Sequence, residues 1–187
     1  MPMRSLRRPQ GPALLLIGFA GALRRSELVG LDVAHVKPTP SGLRLLIPRS
    51  KTDAAGKGAE IGIMRGVRED TCPVRALRAW LRAAKIGDGP VFRRITQWGT
   101  VGTNRLHPDA VRQILARRAA TAGVKGTRLE PVTPHGMRAG FVTTAYRNGV
   151  PDEEIMGHTR HRSLTTTRSY VRRAKLSSAS PSGKLDL

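Results

Sequence analysis

The chain has 187 residues, which is enough for about one domain with a well-formed core. Its 33 lysines and arginines outweigh 13 acidic residues, and the formal net charge of +20 indicates a polyanionic partner such as nucleic acid. A single cysteine, Cys72, excludes an intramolecular disulfide framework and a multi-cysteine zinc site, so we expect a protein of the reducing cytoplasm.

The basic residues recur from Arg4 to Lys184, between apolar stretches that are able to fold. This distribution is unlike a disordered basic tail, although ribosomal proteins reach a similar charge without any chemistry. An apolar run at residues 14–20 is soon followed by Arg24 and Arg25, and it is too short to span a bilayer. We therefore predict a buried helix there and no membrane as partner.

The first part of the chain predicts a leader, a helix and a β-hairpin. Residues 1–11 lack periodicity and are predicted to form a flexible basic leader, and a helix is predicted from Pro12 to about Leu31. Residues 42–48 and 59–64 are typical of two short strands. The polar segment between them would place Lys51 and Lys57 near the tip of the hairpin.

The rest of the chain predicts mainly helices. Three are expected at residues 74–84, 108–122 and 133–148, and a loop with a short strand at Val91 and Phe92 is expected between the first two. The remaining predicted elements are a short helix from Val150, a polar loop through Arg162, a helix capped by Ser163 that carries Tyr170, and a Ser-, Pro- and Gly-rich tail over residues 174–187.

Two motifs supply candidate ligands for a phosphate. Arg24 stands three residues before Glu27, and His135 stands three residues before Arg138 at the start of a predicted helix. A guanidinium presents a planar pair of donors that fits two phosphate oxygens, and a helix N-terminus favours an anion. The alternatives are a solvated pair of Arg24 with Glu27, and a helix cap at His135 beside a surface ion pair of Arg138.

Tyr170 is a candidate nucleophile close to the C-terminus. It is one of two tyrosines in the chain, and arginines stand at positions 168, 172 and 173 around it. A tyrosine hydroxyl can attack phosphorus when a base removes its proton. The alternative is a tyrosine that simply packs on the last helix. Together with the candidate phosphate ligands, Tyr170 suggests phosphoryl transfer through a phosphotyrosine.

These motifs, in this order, resemble the catalytic domain of the tyrosine recombinase, or phage integrase, family over residues 14–171. The matching segments are Leu23-Arg24-Arg25-Ser26-Glu27-Leu28, Ser50-Lys51-Thr52-Asp53, His135-Gly136-Met137-Arg138, and Arg160-His161 with Tyr170 nine residues after the histidine. The resemblance implies catalytic roles for Arg24, Lys51, His135, Arg138, His161 and Tyr170 (nucleophile), with Glu27 as the supporting acid and Lys51 as the general acid.

Several of these positions have competitors nearby. Arg25 competes with Arg24, and Lys57 competes with Lys51 on the hairpin. His158 follows a glycine, as the final histidine of the family often does, but it stands twelve residues before Tyr170. Counting nine residues back therefore favours His161, with Arg160 in place of the common glycine.

The resemblance implies a mainly helical α+β fold with a small antiparallel sheet, and a catalytic domain over residues 12–173. It implies that double-stranded DNA is cut and rejoined through a 3'-phosphotyrosyl intermediate, by four protomers on two sites of the nucleoid, with neither metal nor cofactor. A DNA-binding remnant of an integrase and a DNA-relaxing enzyme of the type IB topoisomerase kind are the alternatives. Members of the family usually carry a preceding DNA-binding domain, so we expect a fragment or a short form.

Overall fold

The computed structural model describes residues 7–48, 58–127, 131–161, 163, 165 and 167–171. Within these ranges, helices predominate and short strands form two small antiparallel sheets. The elements in chain order are α1 (Arg7–Ala20), α2 (Arg25–Gly30), a 3-10 turn (Val33–His35), β1 (Val36–Pro38), β2 (Gly42–Ile47), β3 (Ala59–Met64), α3 (Pro73–Ala83), β4 (Arg93–Ile95), β5 (Val101–Arg105), α4 (Pro108–Thr121), α5 (Pro134–Arg147) and α6 (Asp152–Thr159). Residues 167–171 are also helical and are called the C-terminal segment below.

The N-terminal region differs from the prediction in two ways. Helix α1 already begins at Arg7, so the predicted flexible leader is wrong for residues 7–11, and Pro12 lies inside the helix instead of at its start. The predicted helix to Leu31 is also wrong, because the chain turns between α1 and α2. Ala22 adopts a left-handed conformation there, with φ of 45°. This turn separates a buried helix from the short helix that follows Arg24.

The predicted hairpin strands are confirmed as β2 and β3, and β1 adds a third strand to the sheet in the order β1-β2-β3. Leu43 lies opposite Ile63, and Leu45 opposite Ile61, with all four side chains buried on one face. Buried and more exposed positions alternate along both strands, with Arg44 and Glu60 on the open face, as a sheet covered on one side requires. Lys51 and Lys57 lie outside the described residues.

The region between α3 and α4 holds a second sheet of two strands, β4 and β5. The strand predicted at Val91 and Phe92 is wrong, since β4 begins just after these residues. Both side chains are fully buried, and the Val91 carbonyl accepts a 2.8 Å hydrogen bond from the indole nitrogen of Trp80. Strand β5 reads Val-Gly-Thr-Asn-Arg and has no apolar alternation that would have predicted it.

The later helices agree with the prediction within one to three residues at each end, apart from α6, which continues to Thr159. Helix α1 packs against α3 and α5, and α5 packs against α6. The main core lies between α1, α2, α3 and the three-stranded sheet. A second, smaller cluster, which we call the satellite cluster, consists of Val142, Ile155 and Val171.

The α+β fold class is therefore confirmed: helices α1 to α6 carry the architecture and the two antiparallel sheets are small. Among the described residues, no helix combines the length and apolarity needed to cross a membrane. The ends of α1, α5 and α6 approach one another near the start of α2, and the sequence motifs lie at these helix ends.

Candidate active site

Arg24 and Glu27 lie at the N-terminus of α2. Arg24 occupies the cap position, and its backbone N–H donates a 2.8 Å hydrogen bond to Glu27 Oε2. Its guanidinium donates a second hydrogen bond, of 2.6 Å, to Glu27 Oε1. An acid three residues after a helix cap commonly accepts from the cap backbone in this way. The pair is not the solvated one considered above, because the Glu27 side chain is only 2% exposed.

His135 and Arg138 lie in the first turn and a half of α5. Thr133 caps this helix, its hydroxyl accepting a 3.0 Å hydrogen bond from the Gly136 backbone N–H, and Pro134 takes the first helical position. The two side chains share a face of the helix, but His135 is exposed whereas Arg138 is buried. Helix α5 therefore presents one accessible imidazole beside one enclosed guanidinium.

The Arg138 guanidinium joins three parts of the chain. It donates to the backbone carbonyl of Ala22 after α1 and to that of Thr159 at the end of α6. Its Nε donates to Nε2 of His161 over 3.3 Å. Burial and the neighbouring cations Arg24 and Arg160 lower the pKa of Arg138 to about 10. The guanidinium still carries its charge at neutral pH.

His161 is held in one tautomer by its two neighbours. Because Nε2 accepts from Arg138, the ring proton lies on Nδ1, which is 3.1 Å from the buried hydroxyl of Thr167. Burial and then the charge of Arg138 lower the pKa of His161 to about 4. The imidazole is therefore neutral at neutral pH, and the hydrogen bond to Thr167 connects it to the C-terminal segment.

Tyr170 lies in that segment, between the two histidines. Its hydroxyl is 2.9 Å from Nε2 of His135, and its ring stacks on His161 with 5.9 Å between ring centroids. His135 can accept the phenolic proton when its own proton is on Nδ1. Tyr170 is thus placed by contacts with both candidate histidines.

A cleft of about 330 Å³ opens beside these residues. Its lining includes Arg24, His135 and Arg138, which the sequence had singled out, and also Arg112 of α4, which it had not. With Arg25, four arginines and one histidine line the cleft, and guanidinium and imidazole groups around one cleft can hold a phosphodiester by hydrogen bonds and charge. A tyrosine hydroxyl within reach of a base completes a set suited to nucleophilic attack at phosphorus.

The competing residues have other partners. Arg25 also lines the cleft, but its guanidinium forms a 2.8 Å ion pair with Asp109 and its side chain is about half exposed. His158 bonds the Ala20 carbonyl over 2.8 Å and stacks on Phe141 with 4.8 Å between ring centroids. Burial lowers the pKa of His158, as it does for His161. His158 packs α6 against the end of α1, whereas His161 contacts Arg138 and Tyr170.

Arg160 also belongs to the site through its contact with Glu27, although the sequence did not predict this. Its side chain is 8% exposed, and its Nη2 donates a 2.8 Å hydrogen bond to Glu27 Oε2. Burial raises the pKa of Glu27, but Arg160 and then Arg24 outweigh this effect, so that the pKa is lowered overall. Arginines are so abundant in this chain that nothing in the sequence distinguishes Arg112 as a site residue, and the one signal at Arg160 is that it replaces a glycine common in the family.

A model of the phage integrase family matches residues 10–176. The chain belongs to this family. It is 34% identical to an integrase/recombinase xerD homolog from Selenomonas ruminantium over 164 residues, covering 88% of this chain and 47% of that protein. It is 30% identical to the tyrosine recombinase XerC of Pseudomonas putida strain F1 over 162 residues, covering 85% and 46%. The chain therefore spans about half the length of these relatives.

Solved structures of recombinases share the fold seen here. The XerH site-specific recombinase bound to palindromic difH substrate, in a post-cleavage complex, superposes with a TM-score of 0.67 at 20% identity, over 95% of this chain and 46% of that one. The XerA recombinase superposes with a TM-score of 0.63 at 19% identity, over 92% and 62%. The predicted family and fold are thus confirmed, while the roles of the individual residues stay predictions.

Proposed function

We propose that this chain is the catalytic domain of a site-specific tyrosine recombinase, which cuts and rejoins DNA strands through a phosphotyrosyl intermediate. The observation that carries the proposal is the position of Tyr170, whose hydroxyl lies 2.9 Å from a base beside a cleft lined by guanidinium groups. Family membership and the names of the relatives, an integrase/recombinase and a tyrosine recombinase, support the same chemistry.

In the first step the Tyr170 oxygen attacks the scissile phosphorus while its proton passes to His135 Nε2. A bond forms from the tyrosine oxygen to phosphorus, and the bond from phosphorus to the 5' oxygen breaks. Lys51 supplies the proton that this oxygen needs to leave as a hydroxyl. Rejoining is the reverse: the 5' hydroxyl of another strand attacks the 3'-phosphotyrosyl ester and releases Tyr170.

Arg24 and Arg138 stabilise the charge that develops on the two non-bridging oxygens. Both guanidiniums are held in advance, Arg24 by Glu27 and Arg138 by two backbone carbonyls. Neutral His161 orients Arg138 through its Nε2 and carries the Tyr170 ring on its face. Such preorganised donors need no rearrangement as the transition state forms.

Double-stranded DNA is the partner that the charge of +20 and the cleft support. The structural neighbours include a recombinase bound to its difH substrate and a transposon integrase in complex with transposon end DNA. We propose that the chain acts as a tetramer on two sites of nucleoid DNA. Its catalytic domain comprises residues 12–173 together with residues 7–11, which form the start of α1. The greater length of the relatives leaves room for additional DNA contacts.

The test is capture of the covalent intermediate on nicked duplexes tiled across the DNA that flanks the gene. A nick next to the cleavage site lets the short 5' fragment diffuse away, so the adduct accumulates and is identified by denaturing gel and mass spectrometry. We expect an adduct at Tyr170. The Tyr170→Phe variant should form none, and the Tyr146→Phe variant, which alters the other tyrosine, should form it normally.

The outcomes separate the three functions considered from the sequence. An adduct that needs a specific site supports the recombinase, and an adduct on any duplex with relaxation of supercoils supports the topoisomerase-like enzyme. DNA binding without an adduct, also when the chain is supplied with the additional length present in its relatives, would refute cleavage and leave a binding module.

A further inference from the structure

Arg160 follows the last residue of α6 and adopts a left-handed backbone conformation, with φ of 57° and ψ of 38°. Glycine is the usual residue at this point of a helix end, because a side chain makes the conformation costly. Arginine stands here at a backbone cost that glycine would not have. We therefore expect the guanidinium to make stabilising contacts that offset this cost and that glycine could not make.

The guanidinium is buried, and its contacts join the end of α6 to the start of α2. Nη2 donates to Glu27 Oε2 over 2.8 Å, and Nη1 donates to the His158 carbonyl over 2.9 Å. Nε is buried and has no hydrogen-bond partner among the described residues. A buried cation with an unused donor is unfavourable in itself, so its ion pair with Glu27 is the contact that explains its position.

Glu27 thereby joins two guanidiniums from different parts of the chain. One oxygen, Oε1, accepts from the Arg24 side chain, and the other, Oε2, accepts from the Arg24 backbone and from Arg160. Arg138 of α5 also interacts with Glu27, so that three arginines surround this carboxylate in the part of the chain that the structure describes. Arg160 fixes the second oxygen, which leaves only the first for the Arg24 guanidinium.

We propose that Arg160 is a positioning residue, which orients the Glu27 carboxylate so that Arg24 is held toward the cleft with donors left for the scissile phosphate. This role rests on the proposed function. Arg160 does not touch the phosphate itself, because its side chain is 8% exposed and it is absent from the lining of the cleft. Without Arg160, the Glu27 carboxylate can turn and engage the Arg24 guanidinium with both oxygens.

The first arm of the test reads Glu27 directly, without DNA. The carboxyl carbon of Glu27 is followed by NMR as a function of pH and assigned by its loss in Glu27→Gln. Since Arg160 is the largest influence that lowers the pKa of Glu27 against burial, Arg160→Gly should move the titration midpoint upward, and Arg160→Lys should restore part of the difference. An unchanged midpoint in Arg160→Gly would overturn the proposal, whether or not the protein cleaves DNA.

The second arm reads the reaction by the rate of adduct formation on a nicked duplex in a single turnover. Arg160→Gly should slow this rate by about 10- to 100-fold, the effect expected when a reacting group is slightly misplaced. Because Arg160 acts through Arg24, the double variant Arg24→Ala/Arg160→Gly should be no slower than Arg24→Ala alone. Multiplying effects, or a wild-type rate in Arg160→Gly, would overturn the role.

The matched control is Lys85→Gly. Lys85 also follows a helix in a left-handed conformation, with φ of 51°, and it is an exposed cation. Its replacement relieves the same kind of backbone strain and removes the same charge, so it should leave the Glu27 midpoint and the adduct rate unchanged. If wild-type protein forms no adduct, also when it is supplied with the additional length present in its relatives, the proposed function fails, while the first arm still decides whether Arg160 holds Glu27.

Discussion

His158 and His161 stand three residues apart, and both have a lowered pKa. The contacts of the two side chains differ. His158 is enclosed between Phe141 and the end of α1. His161 is the acceptor for Arg138 and the surface on which Tyr170 stacks. A protonated His161 could not accept from Arg138, so the contact requires the neutral ring.

We predict that the His161 ring titrates near pH 4, far below its ordinary value of 6.5. The measurement is the pH dependence of its ring carbon signals by NMR, with the signal identified by its loss in His161→Asn. Burial and the cations Arg138 and Arg24 oppose the proton, so the ring should stay neutral at pH 6. A midpoint close to 6.5 would show that Arg138 does not donate to it in solution.

The same shift gives a direction for stability. A histidine with a lower pKa in the folded chain binds its proton more readily when unfolded, so stability is lost as pH falls from about 6.5 toward about 4. His158 contributes in the same direction. The His161→Asn substitution should therefore make the midpoint of urea unfolding less sensitive to pH in this interval.

At single positions, the spacing of residues along the sequence was enough to choose between competing candidates. The spacing of nine residues selected His161 over His158, and the contacts of His161 with Tyr170 agree with that selection. Arg160 could not be found in this way, because its value depends on a left-handed backbone and on a carboxylate more than a hundred residues away in the chain. Nor could Arg112, which reaches the cleft only through the packing of α4.

Among the elements, the three-stranded sheet depends on a glycine at the start of β2. A Cβ on Gly42 would lie 2.0 Å from the Ile63 backbone oxygen of the neighbouring strand. We predict that Gly42→Ala lowers the free energy of unfolding by about 1–3 kcal/mol, because the strands must separate to admit the methyl group. Urea denaturation gives the value.

Gly62 of β3 is the matched control, since nothing lies within 4 Å of a Cβ placed there. Gly62→Ala should leave stability unchanged or raise it slightly, as alanine restricts the unfolded chain more than glycine does. Equal losses in the two variants would mean that the close approach of β2 and β3 at Gly42 is absent in solution.

The break between α1 and α2 shows why element boundaries were harder to predict than elements. Residues 12–31 are apolar enough to continue as one helix, and no proline interrupts them after Pro12. The turn at Ala22 instead has its carbonyl bound by Arg138, a residue of α5. A long-range hydrogen bond of this kind leaves no mark in the local sequence, whereas the hydrogen bond that caps α5 is local, since it joins Thr133 to Gly136 three residues later.

For the molecule as a whole, the net charge of +20 bears on DNA binding through the phosphates that are contacted. We predict that the affinity of the Tyr170→Phe protein for duplex DNA falls linearly with salt on logarithmic axes. Arg112→Ala should reduce the slope by about one, since it removes one phosphate contact in the cleft. Fluorescence anisotropy titrations at several salt concentrations measure both slopes.

Arg68→Ala is the control for this prediction, because Arg68 is exposed and pairs with Asp70 outside the cleft. It removes the same formal charge and should leave the slope as it was. If the two variants change the slope equally, binding follows net charge alone and the cleft is not where the phosphates lie.

The satellite cluster has a consequence for the timing of the reaction. Val171, next to Tyr170, is buried with Val142 and Ile155, apart from the main core. Partly buried residues, Tyr170 among them, pack against this cluster, which is much smaller than the main core. A segment docked on a small cluster is expected to detach at a lower free energy than the whole domain unfolds. Under the proposed function, we therefore predict that Tyr170 exchanges between a docked and an undocked state, and that the observed cleavage rate is the intrinsic rate multiplied by the docked fraction. A substitution that weakens the packing of Val171 should lower this fraction and slow cleavage without touching the phosphate.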